Sequence, residues 1–290
     1  MQTDKIRYSF TIDRSVVIVV YLIALLLGAW SLTWFEDPWW QIAVADGVAT
    51  VVVFVASRAF RNSSLYDPYW SVIPPFILLF WLIQFEGVFH LRLMLTIAVV
   101  LYWAIRLTHN WLKTWPGLDH EDWRYGKLAE DTGMWYWPVS FLGIHLFPTI
   151  LVFLGCMPFR PIAESDASLL WTDVLGGLVS LIGIEFERRA DNQLRQFKSQ
   201  GKGEVCQQGL WSYSRHPNYF GEICFWLGVF VLGLGTETGS SWIYGIGVIS
   251  MLLLFTFVSI PMMEKRQLRK PDYSAYQKRV SRLIPWFPKR

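Results

Sequence analysis

Apolar residues in this chain come in long blocks, and that one property leaves few folds open. The blocks fall at roughly 15–35, 41–57, 69–85, 91–111, 135–157, 168–186, 218–235 and 242–263. Each is near the length that carries a helix across about 30 Å of hydrocarbon. Buried helices of a soluble α-protein would need long polar faces, which these blocks lack. Composition agrees, with 53% apolar residues, 17% charged ones and 17 tryptophans, unlike an ordinary soluble domain. The expected fold is an all-α integral membrane protein with about eight transmembrane helices. The count is seven if the short second block, which carries Asp46, does not span.

Lysine and arginine set the expected orientation. With the N-terminus inside, the inner segments 1–14, 58–67, 106–134, 187–217 and 264–290 hold 24 of the 26 basic residues, leaving Arg92 and Arg160 outside. That asymmetry predicts cytoplasmic N- and C-termini. No signal-peptide cleavage pattern is visible, and the first block is long enough to remain as an anchor. Lys265, Arg266, Arg269, Lys270, Lys278, Arg279 and Arg282 follow the last block, interleaved with Tyr273, Tyr276, Leu283, Ile284, Trp286 and Phe287. This amphipathic C-terminal segment suits a lipid surface, not nucleic acid. Cys156, Cys206 and Cys224 are scattered, with no C-x-x-C pair, so they read as apolar filler and point to no metal site. No repeat or flexible linker divides residues 1–290, which read as one polytopic membrane domain.

Four polar clusters stand against this apolar background, all on the expected cytoplasmic side. The first, Gly209 to Glu222, gathers Arg215, His216, Asn218, Tyr219 and Glu222 at the mouth of an apolar block, with Pro217 placed for a first helical turn. Its alternative is a cap that meets lipid phosphates. In the second, Glu187, Asp191, Arg195 and Lys198 recur along one helical face before Gly201 and Gly203. A solvated ion-paired helix is the plainer account, while a second wall for an anionic ligand is the functional one. The third runs from Arg106, His109 and Asn110 to Glu121, Asp122, Arg124 and Tyr125; a tryptophan belt at the membrane boundary competes with ligand contact there. In the fourth, Tyr66-Asp67-Pro68-Tyr69, Asp67 is either a helix cap or an acid whose pKa is raised by apolar surroundings.

Taken together these residues resemble the steroid 5-alpha-reductase superfamily, in particular its bacterial DUF1295 branch. The likeness covers roughly 180–290, the cofactor-bearing region, with echoes at 64–71 and 102–125. It rests on Asp191, Leu194 and Arg195, then Gly209, Leu210, Trp211, Tyr213, Asn218, Gly221 and Glu222, and closes with Tyr273, Tyr276, Ile284 and Pro285. The resemblance implies an NADPH-dependent reductase (NADH being the other nicotinamide choice) that acts on a conjugated carbon–carbon double bond. The implied substrate is lipophilic, steroid- or polyprenoid-like, and enters from the bilayer. By the same resemblance Asp191, Asn218 and Glu222 hold the cofactor, and Arg195, Tyr213 and Arg215 lie near its phosphates or adenosine. Arg106, Arg124, His216 and Tyr219 complete the expected cofactor set. Asp67 takes the place of the family's acid, with Tyr69 and Tyr102 as candidate tyrosines. The expected location is the bacterial inner membrane, with the site facing the cytoplasm. Two other readings stay open. Arg215-His216-Pro217-x-Tyr219 with Glu264 and Tyr276 also fits a membrane methyltransferase using S-adenosylmethionine, and a non-catalytic lipid-binding protein is the third.

Overall fold

Asp37 and Pro38 show how this sequence starts a membrane helix. The Asp37 carboxylate accepts the backbone N–H groups of Trp39 and Trp40 at 2.9 and 3.2 Å, and Pro38 occupies the first turn, where no N–H is needed. A computed structural model describes residues 2–85, 90–165, 168–201, 204–236 and 241–289. Among these residues the regular elements are helices, with one isolated bridge between Ser214 and Ser281. They form two compact units, residues 1–87 with 100–156, and residues 88–99 with 157–290. One boundary between them, at 99/100, falls inside the helix Leu91–Thr114, where the sequence carries no linker signal.

The first unit contains α1 (Gln2–Ser31), α2 (Pro38–Phe60), α3 (Tyr69–Gln84) and most of α4 (Leu91–Thr114). Next come α5 (Trp123–Thr132), α6 (Tyr136–Ser140) and α7 (Phe147–Cys156), the last two joined by a π-helical stretch, Phe141–Leu146. Gly28 of α1 lets α2 approach closely, since a Cβ there would lie 3.0 Å from the Ala45 carbonyl. Tyr69, Ile73, Ile77 and Trp81 line the buried face of α3 at helical spacing. Large apolar side chains such as Leu26 of α1 are left exposed (69%), as expected where lipid supplies the apolar contact.

The second unit contains α8 (Phe159–Glu164), α9 (Trp171–Ser199), α10 (Pro217–Leu234), α11 (Gly245–Leu254), α12 (Ile260–Gln267) and α13 (Tyr273–Arg279). A second π-helical stretch, Phe255–Ser259, joins α11 to α12. The helices α9 and α10 pack backbone to backbone along a seam of small residues: Gly176, Ser180 and Gly183 against Gly221, the backbone of Phe225, and Gly228. A Cβ on Gly183 would lie 2.5 Å from the Gly221 carbonyl, and one on Gly228 would lie 2.5 Å from the Gly176 carbonyl. Lipid tails are as apolar as leucine, so close packing of small residues is what holds such helices together.

Among the described residues six stretches are long and apolar enough to cross a membrane: Ile12–Trp34, Pro38–Phe60, Leu91–Thr114, Trp123–Glu164, Pro217–Leu234 and Trp242–Gln267. The second block qualifies despite Asp46, because α2 is 23 residues long. Two of the eight expected blocks do not meet that measure. The helix α3 has 16 residues and carries Pro74 and Pro75, reaching only about 24 Å. In α9 the uncharged stretch between Asp173 and Glu185 is a short one, 174–184.

Both exceptions to the basic-residue bias have carboxylate partners. Arg92 is fully buried and bidentate on Asp173, at 2.6 and 3.0 Å, with further bonds to the Ser165 hydroxyl and the Ser168 carbonyl. Arg160 pairs with Glu164 one turn along α8, at 3.7 Å. Pairing with a carboxylate is what lets Arg92 be buried away from water.

Candidate functional site

In the first unit the polar chemistry collects around the turn Ser63–Tyr66, which precedes α3. Asn62, Ser63 and Ser64 sew the loop 118–122 onto this turn. The Asn62 amide donates to the carbonyls of Leu118 and His120 at 2.7 and 3.0 Å. The Ser63 N–H donates to the Glu121 carboxylate at 2.7 Å, and the Ser64 hydroxyl accepts the Asp122 N–H at 2.9 Å. The third and fourth sequence clusters thereby become one.

Asp67 is the centre of that junction. It does not cap α3, which begins at Tyr69 without a side-chain cap. Its carboxylate instead accepts the Tyr125 hydroxyl at 2.5 Å. Burial pushes the Asp67 carboxyl up to about 6, against the pull of the Arg124 guanidinium and the Tyr125 hydrogen bond, with Asp122 adding to the rise. Arg124 is half-buried, lies over the Tyr125 ring and donates to Asp122 at 2.7 Å.

Tyr69 turns to a different acid. Its hydroxyl donates to the buried Asp46 carboxylate at 2.7 Å and to the Asp46 carbonyl at 2.9 Å. The Thr50 hydroxyl donates to that of Tyr69, Thr50 meets Thr149 at 2.9 Å, and Thr149 meets the Tyr66 hydroxyl at 2.7 Å. Tyr66 stacks on Tyr69 with ring centroids 5.0 Å apart, and its other neighbour is the ring of His145. His145 sits in the π-helical stretch. Its Nδ1 lies 3.0 Å from the Ser140 carbonyl, which can only accept, so the proton is on Nδ1 and Nε2 is left to accept from the Ser57 hydroxyl at 3.1 Å. A π-turn re-aims side chains, and this one places a histidine among tyrosines. Tyr102 is exposed on α4 beside the fully buried Trp103, and Arg106 is half-buried one turn further on.

In the second unit the seam between α9 and α10 brings the first two sequence clusters together. A Cβ on Gly221 would lie 2.7 Å from the Glu187 backbone nitrogen, so Glu187 and Glu222 flank one crossing. Both are buried, while Asp191, Arg195, Asn218 and Tyr219 are half-buried. Glu222 accepts the Trp226 indole N–H at 3.0 Å, and Arg195 donates to the Asn192 side chain. The Gly-Leu-Trp run docks the intervening loop on α9. Gly209 takes the left-handed conformation (φ 59°) against Gln193, whose side-chain oxygen accepts the Leu210 N–H at 2.9 Å. The Trp211 indole then donates to the Ala190 carbonyl at 3.0 Å. Cys206 fills the same apolar cluster as Trp211 and Phe197. Gly201 (φ 61°) follows the end of α9; Gly203 lies outside the described residues.

Arg215 turns inward. Its Nε donates to Glu264 at 2.7 Å, and its Nη1 to the carbonyls of Gln277 and Val280 at 2.6 and 2.7 Å. Glu264 also accepts Gln277 at 3.0 Å and lies 3.4 Å from His216 Nε2. Burial holds the His216 imidazole below its ordinary range, although Glu264 pulls it upward. The His216 ring stacks on Tyr219, and Tyr219 on Phe255 of the second π-helical stretch. Tyr276 donates to the Trp211 carbonyl at 2.6 Å, closing the turn from the far side. Tyr213 is exposed, its ring against Phe287.

Residues 53–280 match the family described as a protein of unknown function, DUF1295. The chain belongs to the DUF1295 family. An uncharacterized protein of Schizosaccharomyces pombe is 25% identical to this DUF1295 protein over 257 residues, covering 78% of the chain and 73% of that relative. No solved structure matches it.

Reading the sequence passed over Asp46 and His145 as site residues; it named Tyr125 only as a member of the third cluster and Glu264 only in the methyltransferase pattern. Asp46 and His145 had a signal, since a titratable group inside an apolar block asks for a partner. Nothing in their own segments pointed to the partners of Tyr125 and Glu264, which lie 58 and 49 residues away.

Proposed function

We propose that this DUF1295 protein is an NADPH-dependent membrane reductase of the steroid 5-alpha-reductase superfamily. Its substrate is a lipophilic, steroid- or polyprenoid-like ketone carrying a conjugated carbon–carbon double bond. One observation carries the reading: two carboxyl groups, Asp46 and Asp67, each accept a tyrosine hydroxyl within one apolar helix bundle. Reduction of such a double bond builds negative charge on the ketone oxygen, and preorganised hydroxyl donors in apolar surroundings stabilise it most strongly. Tyr69 and Tyr125 become such donors when the carboxyl beside each is protonated and donates to the tyrosine oxygen, which frees the single tyrosine O–H for the ketone. A carboxyl raised to about 6, as at Asp67, holds and returns that proton near neutral pH. NADPH supplies the hydride when bound.

The residues of the second unit fit that cofactor. Half-buried Asp191 and Asn218 suit ribose hydroxyls and the amide, and half-buried Arg195 suits phosphate. The Arg215 Nε and Nη1 groups are already bonded within the protein, so its part is to shape the loop that carries Asn218. The basic-residue bias supports cytoplasmic termini and a site open to cytoplasmic cofactor. A methyltransferase reading draws on the joined Arg215, His216 and Glu264.

Thermal unfolding in detergent separates the readings, because a bound cofactor stabilises the fold by about 2.7 kcal/mol at a hundred-fold excess over Kd. NADPH is expected to raise the melting temperature, with Glu222→Gln and Asn218→Ala losing the effect. A shift with S-adenosylmethionine alone overturns the reductase reading, and an unchanged NADPH response in both variants overturns the site.

A further inference from the structure

The last stretch of the chain is lashed to the loop that carries Arg215 and His216. The Arg215 N–H donates to the Ser281 carbonyl at 2.9 Å, the Ser214 hydroxyl to the Leu283 carbonyl at 2.7 Å, and the Trp286 N–H to the Tyr213 carbonyl at 2.9 Å. Arg282 donates to the Thr256 carbonyl at 2.8 Å, within the π-helical stretch that precedes Pro261, a residue with no N–H to give. The Arg215 guanidinium grips the Gln277 and Val280 carbonyls from behind. This strap is ordered by the protein itself, yet Ile284, Trp286 and Phe287 on it are 64%, 71% and 77% exposed.

Charge surrounds those apolar side chains unevenly. Among the described residues of 265–289, Lys265, Arg266, Arg269, Lys278, Arg279, Arg282 and Lys289 are exposed, against one exposed carboxylate, Asp272; Glu264 is buried on Arg215. The segment begins where the stretch Trp242–Gln267, long and apolar enough to span, ends. Exposed tryptophan and phenylalanine among cations, at the end of a span, have the composition that sits between headgroups and acyl chains. Each cation near an anionic leaflet adds an attraction comparable to RT or more.

We propose that this strap is a docking surface for anionic phospholipid, and that its contact with the headgroups holds the Tyr213–His216 loop in place. The inference stands apart from the reductase reading, since it needs neither cofactor nor substrate. Hydrogen–deuterium exchange on the full-length protein tests it, in nanodiscs of phosphatidylcholine alone or with phosphatidylglycerol. Amides of 281–286 and 213–216 are expected to exchange at least about five-fold more slowly with the anionic lipid. The quadruple variant Lys265→Gln, Arg269→Gln, Lys278→Gln, Lys289→Gln leaves the Arg279 and Arg282 bonds intact and is expected to lose that difference while keeping its melting temperature in phosphatidylcholine. Equal exchange in both lipids overturns the proposal, as does a variant that retains the full protection. Inorganic phosphate in neutral discs giving the same protection also overturns it, by making the surface an anion site and not a bilayer one.

Discussion

Asp67 makes stability depend on pH in a direction opposite to that of a salt-bridged aspartate. Its carboxyl titrates near 6 in the folded chain, against an ordinary value of 3.8. Between those values the folded protein holds a proton that the unfolded chain has released, so stability falls as pH rises from about 4 to about 6. A difference of roughly two pH units corresponds to about 3 kcal/mol, fully present as a penalty above pH 6. That figure is an upper bound, because Asp67 is half-buried. Asp67→Asn keeps an acceptor for Tyr125 but cannot ionise. Relative to wild type it is therefore expected to gain stability progressively between pH 4 and 7, levelling at about 1–3 kcal/mol. Tyr125→Phe removes a donor that favours the carboxylate, so it is expected to move the midpoint of the wild-type dependence upward. Unfolding midpoints in detergent, read across pH 4 to 8 for the three proteins, measure this. Parallel curves for wild type and Asp67→Asn would refute the argument, as would an Asn variant that is less stable at pH 7.

Two further outcomes follow from the packing. Arg92→Leu or Asp173→Ala alone is expected to cost about 3–5 kcal/mol in the same unfolding measurement, because either leaves a fully buried charge without its partner. The double variant Arg92→Met with Asp173→Leu recovers most of that loss, and a double variant as unstable as the singles contradicts the reasoning. Gly183→Ala places a methyl 2.5 Å from the Gly221 carbonyl, so it is expected to force α9 and α10 apart at a cost of about 1–3 kcal/mol. A neutral result would show that the seam tolerates a wider crossing.

The membrane class and the placement of the helices were legible along the chain, because hydrocarbon writes its demands locally. Every backbone group must be satisfied within the segment, so block length and helix-start residues carry the information. Pro217 opens α10 as its position suggested, and α9 runs on through the Asp191–Lys198 face to Ser199. The meeting of α9 with α10 was legible from the short loop between the clusters, though not the glycine seam that lets Glu187 reach Gly221. Partner choice was not legible. Asp67 read equally as a cap, because Pro68 and Tyr69 follow it, or as an acid in apolar surroundings; Tyr125 claims it from 58 residues away. The resemblance put Arg215 near the cofactor's phosphates or adenosine, while its Nε and Nη1 bonds go to Glu264, Gln277 and Val280. A buried charge settles on whichever donor or acceptor the packed helices deliver to it, and desolvation makes that choice strongly favoured. Sequence alone determined that these charges needed partners, and the tertiary structure decided which ones they have.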